Sequence, residues 1–172
     1  MLYTSAEAAK LLRKLTDGLG IVERYESQSS TFHAALGENP EDVRPEYDYE
    51  KTQEIIAETE EKIRIVKHAI NEFNLSHVVP GFNMTIDQML VYIPQLTKRK
   101  QKLYSMQSRL PKSRENSYRG SNIIDYSITN YDIKKAHEDY LKISDELAAA
   151  QTALDVINNS EKFEIDIEQI SK

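Results

Sequence analysis

The chain's four histidines, His33, His68, His77 and His137, are its only strong nitrogen ligands, and their spacing does not build a site. A helix presents two imidazoles to one metal when they stand four apart, and a bundle-core di-iron centre needs a histidine three residues after a glutamate; neither pattern occurs. The histidines therefore read as solvated or half-buried helix residues, with His77 in a loop. The absence of cysteine excludes thiolate metal sites, iron–sulfur clusters, disulfides and cysteine nucleophiles together, and permits a reducing compartment. Gly18 and Gly20 lack the third glycine of a dinucleotide loop, and no phosphate-binding loop or nucleophile elbow is present. Adjacent acids such as Glu60 with Glu61, or Glu138 with Asp139, lie on polar helix faces and read as solvated surface rather than paired acid and base. No cofactor is implied, and the chain is expected not to be an enzyme.

What remains for chemistry is charge and tyrosine. Glu38 to Lys62 holds ten acids against three bases, whereas Lys98 to Arg119 holds eight bases against Glu115 alone. The basic run supplies the candidate anion-binding residues: Lys98, Arg99, Lys102, Arg109, Lys112, Arg114 and Arg119. Lysine and arginine neutralise phosphates, and Tyr104 and Tyr118 are available to stack on bases, so one reading is a nucleic-acid-binding accessory protein. The other reading is neutralisation by the acidic run. In an up-down-up-down bundle the loops after the first and third helices share an end, and the two runs would meet within or between subunits. Tyr47, Tyr49, Tyr118, Tyr126 and Tyr131 gather around the same loops and would there form an aromatic cap or a binding surface.

The elements that must carry these residues are helices. From Tyr131 to Asn159, the residues Ile133, Ala136, Tyr140, Ile143, Leu147, Ala150, Leu154 and Ile157 follow at alternating steps of 3 and 4, a heptad stripe that needs a partner helix. A first helix is expected over about 4–35, opened by the capping box of Thr4 and Glu7, with a soft point at Gly18 and Gly20. A second, over about 48–74, is capped by Asp48 and carries Thr52, Ile56, Thr59, Ile63, Val66, Ile70 and Phe73 as its stripe. A third, over about 85–110, opens on Thr85 and Gln88 and should kink near Pro94; the fourth covers about 130–159. Residues 37–46 and 111–122 read as polar loops, and Pro80-Gly81 as a turn.

Alternating apolar residues suggest two short strands, about 123–128 and 163–167. The helix between them spans roughly 42 Å at 1.5 Å per residue, so they cannot be neighbours within one subunit. Either each pairs with a loop at its own end, such as 77–82, or they pair across an antiparallel symmetry mate.

With 172 residues, 40% hydrophobic content and a net charge of −6, the expectation is a single all-α domain, 1–172: four long antiparallel helices, as a bundle or paired hairpins, with two short terminal β-strands. The N-terminal residues lack a signal-peptide pattern and no window is apolar enough to span a membrane, which points to the cytoplasm and away from membranes. The segments TIDQMLVYIPQLTKRKQKL, IIDYSITNYDIKKAHEDY and QTALDVIN resemble a family of uncharacterised bacterial helical proteins, related to those sometimes labelled septicolysin. The resemblance implies a long antiparallel helical arrangement and brings no functional residues. Its cytolysin label implies membrane attack, whereas the stripes here suit one another rather than a lipid surface. The leading expectation is a non-enzymatic interaction or scaffold protein, a homo-oligomer that self-associates through helix stripes and end strands, with a further protein partner possible.

Overall fold

A computed structural model describes residues 1–115 and 125–167 of the chain. It is mainly α-helical, with the order β1 (Leu2–Thr4), α1 (Ser5–Ser29), α2 (Pro40–Val43), α3 (Tyr49–Ser76), β2 (Val78–Val79), β3 (Met84–Thr85), α4 (Ile86–Gln107), β4 (Lys112–Glu115), β5 (Asp125–Ile128), α5 (Ile133–Ser160) and β6 (Lys162–Glu164). The chain falls into two compact units, one made of Met1–His77 with Ile157–Lys172, the other of Val78–Val156.

The first unit is the α1–α3 hairpin with a small ribbon at its open end. Thr4 starts α1 with the expected reciprocal cap: its hydroxyl accepts from the Glu7 N–H, and the Glu7 carboxylate accepts from the Thr4 N–H at 2.9 Å. Those bonds hold the Glu7 carboxyl below the usual carboxylate range. Ala8 and Val66 are fully buried between the two helices, joined by Leu11, Leu12, Leu15, Ala69 and Ile70. Near the other end, Gln53 of α3 donates to Glu26 of α1 at 2.6 Å, so the helices run antiparallel. α1 passes through Gly18 and Gly20 without a break.

α1 stops at Ser29 rather than near residue 35, although the apolar spacing continues to Phe32 and Leu36. The hydroxyl side chains of Ser27, Ser29, Ser30 and Thr31 compete for the backbone and disfavour helix propagation, and Phe32 is drawn instead under the Arg44 guanidinium, 5.2 Å from the ring centre. His33 accordingly lies in the connection and not on a helix. Inside that connection Asn39 caps the single-turn helix α2, which has Pro40 at its first position.

The strand pairings resolve the distance problem by using local partners. β6 pairs antiparallel with β1, Tyr3 opposite Phe163, and the Ile165 N–H continues the ladder by donating to the Met1 carbonyl at 2.9 Å. Ile165 is 1% exposed and joins Ala8 and Val66, so this ribbon closes the end of the hairpin core. Phe163 stacks on Phe73 at 4.5 Å, and His77 stacks on the same Phe73 at 4.0 Å, which makes His77 a helix-end packing residue. The loop at 77–82 is not the partner of either strand, because Val78–Val79 pairs with Met84–Thr85 instead.

The second unit begins with this minimal hairpin. The Phe82 N–H returns to the Val79 carbonyl at 3.2 Å across Pro80-Gly81, with Gly81 at φ +85, a turn that needs glycine at its third position. Thr85 and Gln88 then cap each other and open α4, which continues through Pro94. α4 and α5 run antiparallel: Tyr92 reaches Glu146, Tyr104 packs 5.9 Å from Tyr140, and Gln107 meets His137 at 2.5 Å. The heptad stripe of α5 is buried as its spacing requires, with Ala136, Ile143, Leu147, Ala150 and Leu154 each exposed by 9% or less. Ile86, Met89 and Leu96 are the buried residues of α4.

Candidate anionic-partner surface

The basic run begins on the last turns of α4 and continues into an exposed ribbon. α4 ends at Gln107 and is capped by Ser108, whose N–H finds the Met106 and Tyr104 carbonyls. The chain then turns through Pro111 into β4, in a stretch where a polar loop is expected from composition. β4 and β5 pair antiparallel, with Lys112 opposite Ile128, Ser113 opposite Ser127, Arg114 opposite Tyr126 and Glu115 opposite Asp125. Three bonds fasten the ribbon's base to the end of α4. The Thr129 N–H donates to the Pro111 carbonyl at 3.0 Å, the Thr129 hydroxyl to the Leu110 carbonyl at 2.8 Å, and the Tyr131 hydroxyl to the Met106 carbonyl at 2.8 Å. Asp132 then caps α5 by accepting from the Lys134 N–H at 2.8 Å.

Side chains alternate across a strand, so Lys112, Arg114, Tyr126 and Ile128 share one face, and Ser113, Glu115, Asp125 and Ser127 the other. Every residue of both strands is exposed. Lys112 extends its ammonium over the Tyr126 ring, 4.0 Å from the centroid, a cation–π contact on the basic face. That face offers two cations beside an aromatic ring and a β-branched residue, a combination that takes a phosphate or carboxylate next to a planar group.

Arg99 and Lys102 belong to a different surface. They line a groove of about 550 Å³ between α4 and α5, with Lys142, Asp139 and Glu146 on the walls and Leu103, Met106 and Ile143 below. The two acids already have partners: Asp139 lies 3.4 Å from Lys135, and Glu146 accepts from the Tyr92 hydroxyl. The Glu146 bond, aided by partial burial, raises the Tyr92 phenol above its ordinary range. Lys98 stands exposed on α4 outside this groove, and Arg109 is exposed just beyond the helix. The seven candidates thus divide between a groove pair (Arg99, Lys102), a ribbon pair (Lys112, Arg114), and Lys98 and Arg109 apart from both, while Arg119 lies outside the described residues, as does Tyr118.

Two features escaped the reading by residue type. Lys100 lies 5.9 Å over the Tyr140 ring, which with Tyr104 lines a second α4–α5 surface of about 480 Å³. The signal was present in the spacing, since Lys100 and Tyr104 stand four apart on one helix face. In the first unit, Ile21, Val22, Tyr25 and Ile55 line a groove of about 720 Å³ whose rim carries Glu46 and Asp48. Ile21 is 64% exposed and falls off the α1 stripe, an exposed apolar residue that periodicity alone flags as unpaired.

The expected meeting of the acidic and basic runs presumed one up-down bundle. Glu38–Lys62 belongs to the first compact unit and the described part of Lys98–Arg119 to the second. Arg44 makes a two-point pair with Glu41, at 2.7 and 2.8 Å. The tyrosines divide in the same way: Tyr47 bonds Glu26, whereas Tyr126 and Tyr131 serve the ribbon and the end of α4. Among the described residues no cluster of three or more histidine, cysteine, aspartate or glutamate side chains could hold a metal ion. No described helix is long and apolar enough to cross a membrane.

No family model matches the chain, and no curated protein matches it. Among solved structures it is similar to the crystal structure of a functionally unknown conserved protein from Corynebacterium diphtheriae, with 14% identity and a TM-score of 0.63 over 95% of this chain and 100% of that one. At that identity the likeness shows a shared fold.

Proposed function

We propose that this is a non-enzymatic interaction protein of the cytoplasm that self-associates, with its four long helices arranged antiparallel and its exposed strands as the contact elements. The observation that carries the reading is the β4–β5 ribbon: two strands in which every residue is exposed, Tyr126 by 50% and Ile128 by 69%, with, among the described residues, no further strand on either edge. An isolated two-stranded ribbon is marginal in water, and an open edge is a template for a further strand. Exposed apolar side chains on the helices, among them Ile21, Leu90 and Val91, add surface that a partner would cover. Light scattering behind gel filtration tests it. A species heavier than one chain at micromolar concentration is expected, and a strict monomer at high micromolar concentration sinks the reading.

A second reading concerns the ribbon face rather than its edges. Lys112 and Arg114 beside Tyr126 favour an anionic partner, and single-stranded RNA or DNA is the class that combines phosphates with stacking bases. Affinity should fall steeply with salt, and Lys112→Gln with Arg114→Gln should weaken it and flatten the salt slope by about 2 if both contact phosphate. Absence of binding at low salt ends this reading without touching the first.

A further inference from the structure

The two edges of the β4–β5 ribbon are chemically different, and the difference selects one of them. In an antiparallel ladder, residues alternate between exchanging backbone bonds with the partner strand and turning those groups away. The Thr129 N–H donates to the Pro111 carbonyl, so Thr129, Ser127 and Asp125 face β4, while Tyr126 and Ile128 turn their N–H and C=O outward. On β4 the same alternation turns Lys112 and Arg114 outward.

Self-pairing of β4 is opposed by charge. Registers that keep the two faces together set Lys112 or Arg114 against Lys112 or Arg114 of the other copy, and like charges directly opposite destabilise a pair. β5 has no such obstacle. A two-fold axis at Ser127 sets each Tyr126 opposite Ile128 of the other copy, with all their outward N–H and C=O groups facing one another. The pairing makes four backbone hydrogen bonds and two aromatic–β-branched cross-strand pairs. It also supports a ribbon that is weak alone, since Glu115 stands opposite Asp125 at its outer end.

We propose that β5 pairs antiparallel with β5 of a second copy about a two-fold axis at Ser127, forming a four-stranded β4-β5-β5-β4 sheet. The inference deepens the self-association reading and rests on it. It makes the contact isologous and closed: the cationic β4 strands become the outer edges, which stops the sheet from growing further. The basic faces of the two ribbons become one continuous surface carrying two copies of Lys112, Arg114, Tyr126 and Ile128.

The chain has no cysteine, so a single introduced thiol reports this geometry. Ser127 would meet its symmetry mate as a non-hydrogen-bonded pair, with Cα atoms about 4.5 Å apart, inside the range a disulfide spans. Under mild oxidation Ser127→Cys should form a disulfide-linked dimer about tenfold or more faster than Ser113→Cys, its register partner on β4. Ile128→Pro removes an outward N–H and leaves the bonds to β4 intact, so it should convert the associated species to a monomer with unchanged helix content. A wild-type chain that is monomeric at high micromolar concentration overturns both the pairing and the reading beneath it. If the wild type associates, the pairing alone is overturned when Ser127→Cys cross-links no faster than Ser113→Cys, or when Ile128→Pro remains associated.

Discussion

The Tyr47 hydroxyl donates to Glu26 Oε1 at 2.8 Å, joining the start of α3 to the last turns of α1, and Gln53 donates to the same oxygen. Partial burial, together with the Glu26 carboxylate, pushes the Tyr47 phenol up to about 12, against about 10 for a free tyrosine. The folded state then holds this proton more tightly than the unfolded chain. Its contribution to stability is complete below pH 10 and is lost as pH rises from there through about 12. Urea unfolding at pH 8 and pH 11 should show a loss of stability in the wild type that is smaller in Tyr47→Phe. Equal losses in both would mean that Tyr47 is not the responsible group.

Ala150 is wholly buried on the α5 stripe, with Leu147 7% exposed one turn away. Ala150→Glu places an uncompensated carboxylate among apolar side chains, and a loss of more than about 3 kcal/mol is expected. Leu147→Ala should cost about 2–4 kcal/mol through lost burial and the cavity left behind. Circular dichroism with urea titration reads both, and a response below about 1 kcal/mol would show the stripe to be unburied.

The two capping boxes give a paired prediction. Thr4→Ala and Thr85→Ala each remove the hydroxyl that accepts an N–H in the first turn of α1 or α4, at about 1 kcal/mol apiece. Serine at either position should restore most of the loss. The Glu7 carboxyl is held below its ordinary value by Thr4. The stabilisation it brings is present above about pH 4.5 and fades as pH falls further, so Glu7→Gln should flatten the acid limb of the stability profile, whereas Thr4→Ala, which keeps the backbone N–H that bonds the carboxylate, should leave most of it.

Gly18 and Gly20 sit inside α1 with nothing within 4 Å of where a Cβ would stand. Gly18→Ala and Gly20→Ala should therefore stabilise the protein, each by about 0.5–1 kcal/mol, because the helix conformation is already adopted and the unfolded chain loses freedom. Gly81 is the contrast. Its φ of +85 penalises any side chain, and Gly81→Val should destabilise the β2–β3 turn while leaving α1 unaffected. Thermal melts of the three variants check the opposite signs.

The four long helices, their caps and their buried faces were legible in the residues themselves, whereas the single turn α2 at Pro40–Val43 falls in a stretch whose composition reads as loop. Thr4 with Glu7, Asp48, and Thr85 with Gln88 act over three residues, and the stripes of α3 and α5 repeat at a helix's own period, so both depend on local geometry. What tertiary structure decided lay beyond that reach. Phe32, three residues past the end of α1, packs under Arg44; β6 finds β1 because the Ile165 side chain completes the Ala8 and Val66 core; and Lys112–Glu115 becomes a strand because β5 returns beside it, held by Thr129 and Tyr131. The candidate site divides along the same line. Residue types and net charge marked the basic run from one end to the other, but spacing along a chain cannot say which cations share a surface. The fold separated Arg99 and Lys102 from Lys112 and Arg114, because helix and ribbon point their side chains by different periods, 3.6 and 2.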